Sequence, residues 1–131
     1  MRILLVLALG VALGALASSA VLNALNRRDA YARGVMELLQ HQVAALRNRV
    51  RTNTCTGSGL QREKLLLAEL TEDIEPSIFA DSTPDPPFRE YAQHLREAVA
   101  ELPAEAAGCT ALEPVVSKIG NACDACHHQY R

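Results

Sequence analysis

The chain has 131 residues, 49% of them hydrophobic and 21% charged, with a formal net charge of -2. That length suits one domain. The hydrophobic content excludes a disordered chain, and the slight acidity excludes a nucleic-acid binder that works through bulk charge. Aromatic residues make up only 4% while Leu and Ala dominate, so helices are expected rather than a sandwich or barrel.

Arg2 precedes an apolar run from Ile3 to Ala17, followed by Ser18, Ser19 and Ala20. A basic start, an apolar stretch and small residues make a secretory signal over residues 1–20, with cleavage after Ala17 or Ala20. The competing reading is a retained anchor, since apolar residues continue to Leu25. Ser18, Ser19 and Asn23 interrupt that run, which would need about 20 residues to span a bilayer. Arg27 and Arg28 beyond it also oppose the positive-inside orientation. Either way the domain, residues 26–131, is exported, to where thiols are oxidised or used covalently.

The remainder shows period 3.5–3.6 and no sustained alternation. A first helix is expected over 27–51, with Asn26 as N-cap and Met36, Leu39, Val43, Leu46 and Val50 as its stripe. Ser58 and Gln61 form a capping box for a second helix over 59–74, with Leu60, Leu67, Leu70 and Ile74 on one side. Residues 76–87 hold four of the six prolines and read as a connection. Asp85 caps a third helix with Pro86 in its first turn, and Phe88, Tyr91, Leu95, Ala98 and Leu102 form its stripe. Thr110 and Glu113 make a further capping box, with Pro114 in the first turn. The last stripe runs Leu112, Val116, Ile119, Cys123, Cys126, Tyr130. Four amphipathic helices with short loops predict an all-α, antiparallel up-down four-helix bundle. Most stripe positions are plain core, but here Cys123 and Cys126 share it.

Those cysteines belong to Cys123-Asp124-Ala125-Cys126-His127, the CxxCH sequence of covalent c-type haem attachment. Two thiols one turn apart can add across the two vinyl groups of one haem, and the next residue presents an imidazole to the iron. A zinc site would need a second cluster of ligands, a thioredoxin-like pair a βαβ setting, and a Cys123–Cys126 disulfide a geometry that a helix does not provide.

Cys123 to Arg131, ending a chain of four helices, and the stretch YARGVMELLQHQV in the first helix resemble the cytochrome c′ / cytochrome c-556 family over the whole exported domain. The resemblance implies a periplasmic monohaem protein with one covalent haem c in the bundle core. It implies Cys123 and Cys126 as thioether anchors, His127 as proximal iron ligand and Arg131 beside the proximal haem face. It places Met36 where low-spin members carry their sixth ligand; high-spin members put an apolar side chain there and bind NO or CO. Members often carry an Arg-Gln pair near a haem propionate; the matching places here are Ala32 and Arg33, so Arg33 is the candidate for the haem vicinity.

Bundle topology bears on the distal position independently. The first and last helices run antiparallel, with residues 52–58 and 103–109 at one shared end. Counted from that end, Met36 and His127 differ in height by only ~3 Å, at about 1.5 Å rise per residue. Met36 therefore reads as distal iron ligand or as ordinary core filling, at which Met also does well. His41 is rotated about 140° from Met36, and His41, His94 and His128 read as surface residues. The same topology brings Cys55 and Cys109 to the shared end, where a disulfide is expected.

The expected function is that of a one-electron carrier, not an enzyme, since no acid–base pair or nucleophile accompanies the haem. The alternative is a five-coordinate haem protein binding NO or CO. Partners would be periplasmic redox proteins; a homodimer is compatible with the resemblance, nucleic acid is not expected, and a membrane enters only if the signal segment is retained. Residues 27–64 hold eight basic and three acidic side chains, residues 65–113 two and eleven. That asymmetry reads either as solvated helix faces or as a dipolar surface that orients partners.

Overall fold

A computed structural model describes residues 2–56 and 59–130, apart from the side chains of residues 2–5, 8 and 24–29. The described residues form five helices: α1 (Arg2–Arg51), α2 (Gly59–Glu72), α3 (Ile74–Ile78), α4 (Pro86–Ala100) and α5 (Cys109–Tyr130). The four long ones make an all-α bundle in which α1 packs on α2, α2 on α4, α4 on α5 and α5 back on α1. Successive helices are thus neighbours, as short connections require.

α1 begins at Arg2 and runs straight through Asn26, which is not a cap. No Pro lies between residues 2 and 51 to break it. Its first part stands clear of the bundle, with the side chains of residues 6–7 and 9–23 exposed. No described helix is long and apolar enough to cross a membrane. The expected Ser58 cap lies outside the described residues.

α3 falls partly where a connection was expected. Asp73 is its N-cap position, so Pro76 sits in the first turn, where the missing N–H has no helical partner to lose. α4 starts as expected: the Asp85 carboxylate accepts from the backbone N–H of Phe88 at 2.9 Å, with Pro86 in the first turn. α5 starts two residues earlier than the Thr110 cap requires, leaving Thr110 and Pro114 inside the helix. Its first residue is pinned covalently instead: Cys109 is bonded to Cys55, with the Cα atoms 5.1 Å apart.

The core is built from the stripes. Leu46, Leu60, Leu67, Leu102, Leu112 and Ile119 are fully buried. The disulfide end is closed by polar ties that satisfy helix-terminal carbonyls. Lys64 Nζ donates to the carbonyls of Ala100 and Leu102 at the end of α4, at 3.1 and 2.5 Å. Arg49 Nε donates to Glu63 Oε1 at 2.9 Å, and its Nη1 to the Thr54 carbonyl.

Candidate functional site

At the other end the helices part. A groove of about 370 Å³ opens between α1, α4 and α5, within the size range of small-molecule sites. Its floor is apolar and buried: Leu39 and Val43 from α1, Ile74 from α3, and Phe88, Ala92 and Leu95 from α4. Its rim is exposed and polar, with Gln40 and Arg47 on α1 and Asp124 and His127 on α5.

Of the residues singled out from sequence, Met36, Cys123, Cys126 and His127 line this one groove. Cys123 and Cys126 are half-buried and lie one turn apart on α5. Met36 is half-buried on the opposing face of α1, packed against the core. His127 is exposed at the rim. Cys55 and Cys109 are at the far end, joined to each other. Arg33 is exposed and is not among the residues that line the groove. Arg131 lies outside the described residues. His41, His94 and His128 are exposed and none lines the groove.

Arg47 is the residue that sequence reading missed. It lies eleven residues after Met36, about three turns along the same helix face, but an Arg between apolar positions reads as surface. Its guanidinium crosses to α5 and lies over Gly120. The signal for it was a buried glycine one turn before Cys123, a place where another chain element comes close.

The electrostatics follow from this placement. Burial pushes the Cys123 thiol up from its ordinary range; the Arg47 cation pulls it partly back, while Asp124 and the Cys126 thiol oppose Arg47. Burial raises the Cys126 thiol as well. Both thiols are therefore protonated at neutral pH in the haem-free chain, inside an apolar-floored groove and beside an imidazole.

The donor set suits a haem. Two thiols at CxxC spacing, an imidazole one residue on, aromatic and aliphatic walls and a thioether opposite are what a covalently held porphyrin with one or two axial ligands asks for. Among the described residues no group of His, Cys, Asp and Glu is arranged to hold a bare metal ion. Comparison with curated proteins and with solved structures returned no match. The family model described as Cytochrome C' matches residues 19–131. The chain belongs to the cytochrome c′ family, whose members carry a covalently bound c-type haem.

Proposed function

We propose that the protein is a periplasmic one-electron carrier with a single haem, anchored through Cys123 and Cys126, whose iron sits between His127 and Met36. When bound, the haem supplies one iron centre that takes up and returns one electron. The chain's part is to hold that centre still and dry. Cys123 and Cys126 fix one edge covalently to α5, and His127 follows on the same helix. Leu39, Val43, Phe88 and Leu95 keep water from the floor. Fixed ligands and an apolar wall limit reorganisation between oxidation states, and a thioether ligand favours the reduced form.

One observation carries the reading: Met36 and His127 line the same groove from two antiparallel helices. With the signal segment removed, Met36 is also the sole methionine of the chain. The second reading, a five-coordinate protein that binds NO or CO, draws on Leu39 and Val43, groove-lining groups on the helix of Met36 that cannot ligate iron.

The visible spectrum of the purified holoprotein, oxidised and reduced, with and without CO, separates the two. A sharp low-spin ferrous spectrum that CO leaves unchanged supports Met36 ligation, and Met36→Leu then converts it to a CO-binding form. A high-spin spectrum that shifts with CO in the unmodified protein overturns electron transfer through a His/Met centre and favours gas binding.

A further inference from the structure

The disulfide holds α5 at its start, and Leu112, Val116 and Ile119 bury its middle. The stretch that carries the haem motif has no such burial: Asp124, Ala125, His127, His128 and Gln129 are all exposed. What ties this end down is Tyr130. Its hydroxyl donates to the Asp85 carboxylate, 2.9 Å from each oxygen. Its ring stands edge-on to Phe88 at 5.1 Å and to Tyr91 at 6.0 Å between centroids. Asp85 meanwhile caps α4 by accepting from the Phe88 N–H, so a single carboxylate joins the first turn of α4 to the last turn of α5. Phe88 and Tyr91 are themselves groove walls.

We propose that Tyr130 and Asp85 are positioning residues for His127: the Tyr130–Asp85 link, backed by the rings of Phe88 and Tyr91, fixes the last turn of α5 and with it the imidazole. The inference rests on the reading of His127 as the iron ligand. Tyr130 lies three residues beyond His127, about 4.5 Å further along the axis and roughly 60° round it, so a shift of one is passed to the other. A ligand on an exposed terminal turn is free to tilt unless the turn is held. Groups that orient a metal-ligating histidine from outside the ligand set typically alter metal affinity 10–100-fold when removed. A link between α3 and α4 supplies the control: Arg96 Nη1 donates to Glu75 Oε1 at 2.9 Å. Neither of those helices carries His127 or Met36.

The experiment uses the purified holoprotein at neutral pH, with the ferric EPR signal as readout of the axial field and thermal melting run alongside. Tyr130→Phe keeps the ring and deletes the hydroxyl; Asp85→Ala deletes the acceptor. Both are expected to broaden or split the EPR signal in the same way. Asp85→Asn, which still offers an oxygen to Tyr130 and to the Phe88 N–H, should restore the parent signal. Arg96→Gln should leave the signal as in the parent even where it lowers the melting temperature. An unchanged signal in both Tyr130→Phe and Asp85→Ala overturns the proposal, as does an equal change in Arg96→Gln. Should Tyr130→Phe fail to accumulate with haem, Asp85→Ala compared with Asp85→Asn decides alone. His127→Gly is measured in the same series: a parent-like signal there overturns the ligand reading itself, a result distinct from failure of the link.

Discussion

The guanidinium of Arg47 occupies the space over Gly120 where a side chain would begin, so that a Cβ built at Gly120 would stand 2.5 Å from Arg47 Nη2. The obstacle is the tip of a flexible side chain, and Ala is favoured over Gly within a helix by about 1 kcal/mol. Gly120→Ala should therefore fold without loss of melting temperature while turning Arg47 out of the groove. In the haem-free chain both Gly120→Ala and Arg47→Gln then remove the cation that holds the Cys123 thiol down. The thiol rises further, less thiolate is present near pH 8, and alkylation of Cys123 in a Cys126→Ser background should slow. Unchanged alkylation in Arg47→Gln would show that Arg47 does not act on the thiol.

The Cys55–Cys109 bond spans a sequence separation of 54. Closing a loop of that size should contribute about 4 kcal/mol on the chain-entropy model. Replacing both cysteines by serine should lower the melting temperature by roughly 20 °C, given 4–8 °C per kcal/mol for a small domain. Differential scanning calorimetry of the holoprotein checks this.

Arg49 and Glu63 form a half-buried ion pair, and the second carboxylate oxygen of Glu63 is buried with no hydrogen-bond partner. Removing the cation leaves that carboxylate with neither charge partner nor donor. Arg49→Met should cost about 2 kcal/mol, less than a fully buried pair would because water still reaches Arg49. Glu63→Gln should cost less, since the amide oxygen still accepts from Nε. Urea titration of the two variants gives the order; Glu63→Gln the more damaging would contradict it.

Loss of water around Tyr130, with its hydrogen bond to Asp85, pushes the phenol up from about 10 to about 12. A folded-state value above the unfolded one means that the phenol contributes stability fully below about pH 10 and loses it as pH rises towards about 12. The melting temperature of the parent should thus fall across that window more steeply than that of Tyr130→Phe. Parallel curves would remove the link as a source of alkaline sensitivity.

Much of this was legible because period and caps act locally. Asp85 caps α4 and the α4 stripe is buried at Phe88, Leu95 and Ala98, since one turn and one helix face decide both. The α1 stripe is one residue off at its start: Val35 is buried at 3% exposure while Met36 is only half-buried. Position 36 lines the groove and position 35 joins the buried core, a distinction that depends on where the bundle opens and not on period. Thr110 failed as a cap because the disulfide, a long-range constraint, fixes where α5 begins. α3 was missed because a proline in a first turn costs a helix nothing, so Pro76 punctuates without breaking. Of the groove, the residues whose chemistry is in their type and spacing were readable: Cys123, Cys126 and His127. Arg47 was not, because its role comes from crossing to another helix.

The disulfide has a further consequence for the order in which the chain can organise itself. Met36 and Cys123 are far apart along the polypeptide, but through the Cys55–Cys109 bond the path between them is 19 residues on one side and 14 on the other. Oxidation therefore turns the most distant pairing in the domain into a nearly local one. Contacts between near neighbours form faster and at smaller entropic cost than contacts across a long chain. α1 and α5 become two arms leaving one covalent junction. The walls of the groove can meet by closing like a pair of tongs, while the 54-residue loop that holds α2, α3 and α4 settles on its own schedule.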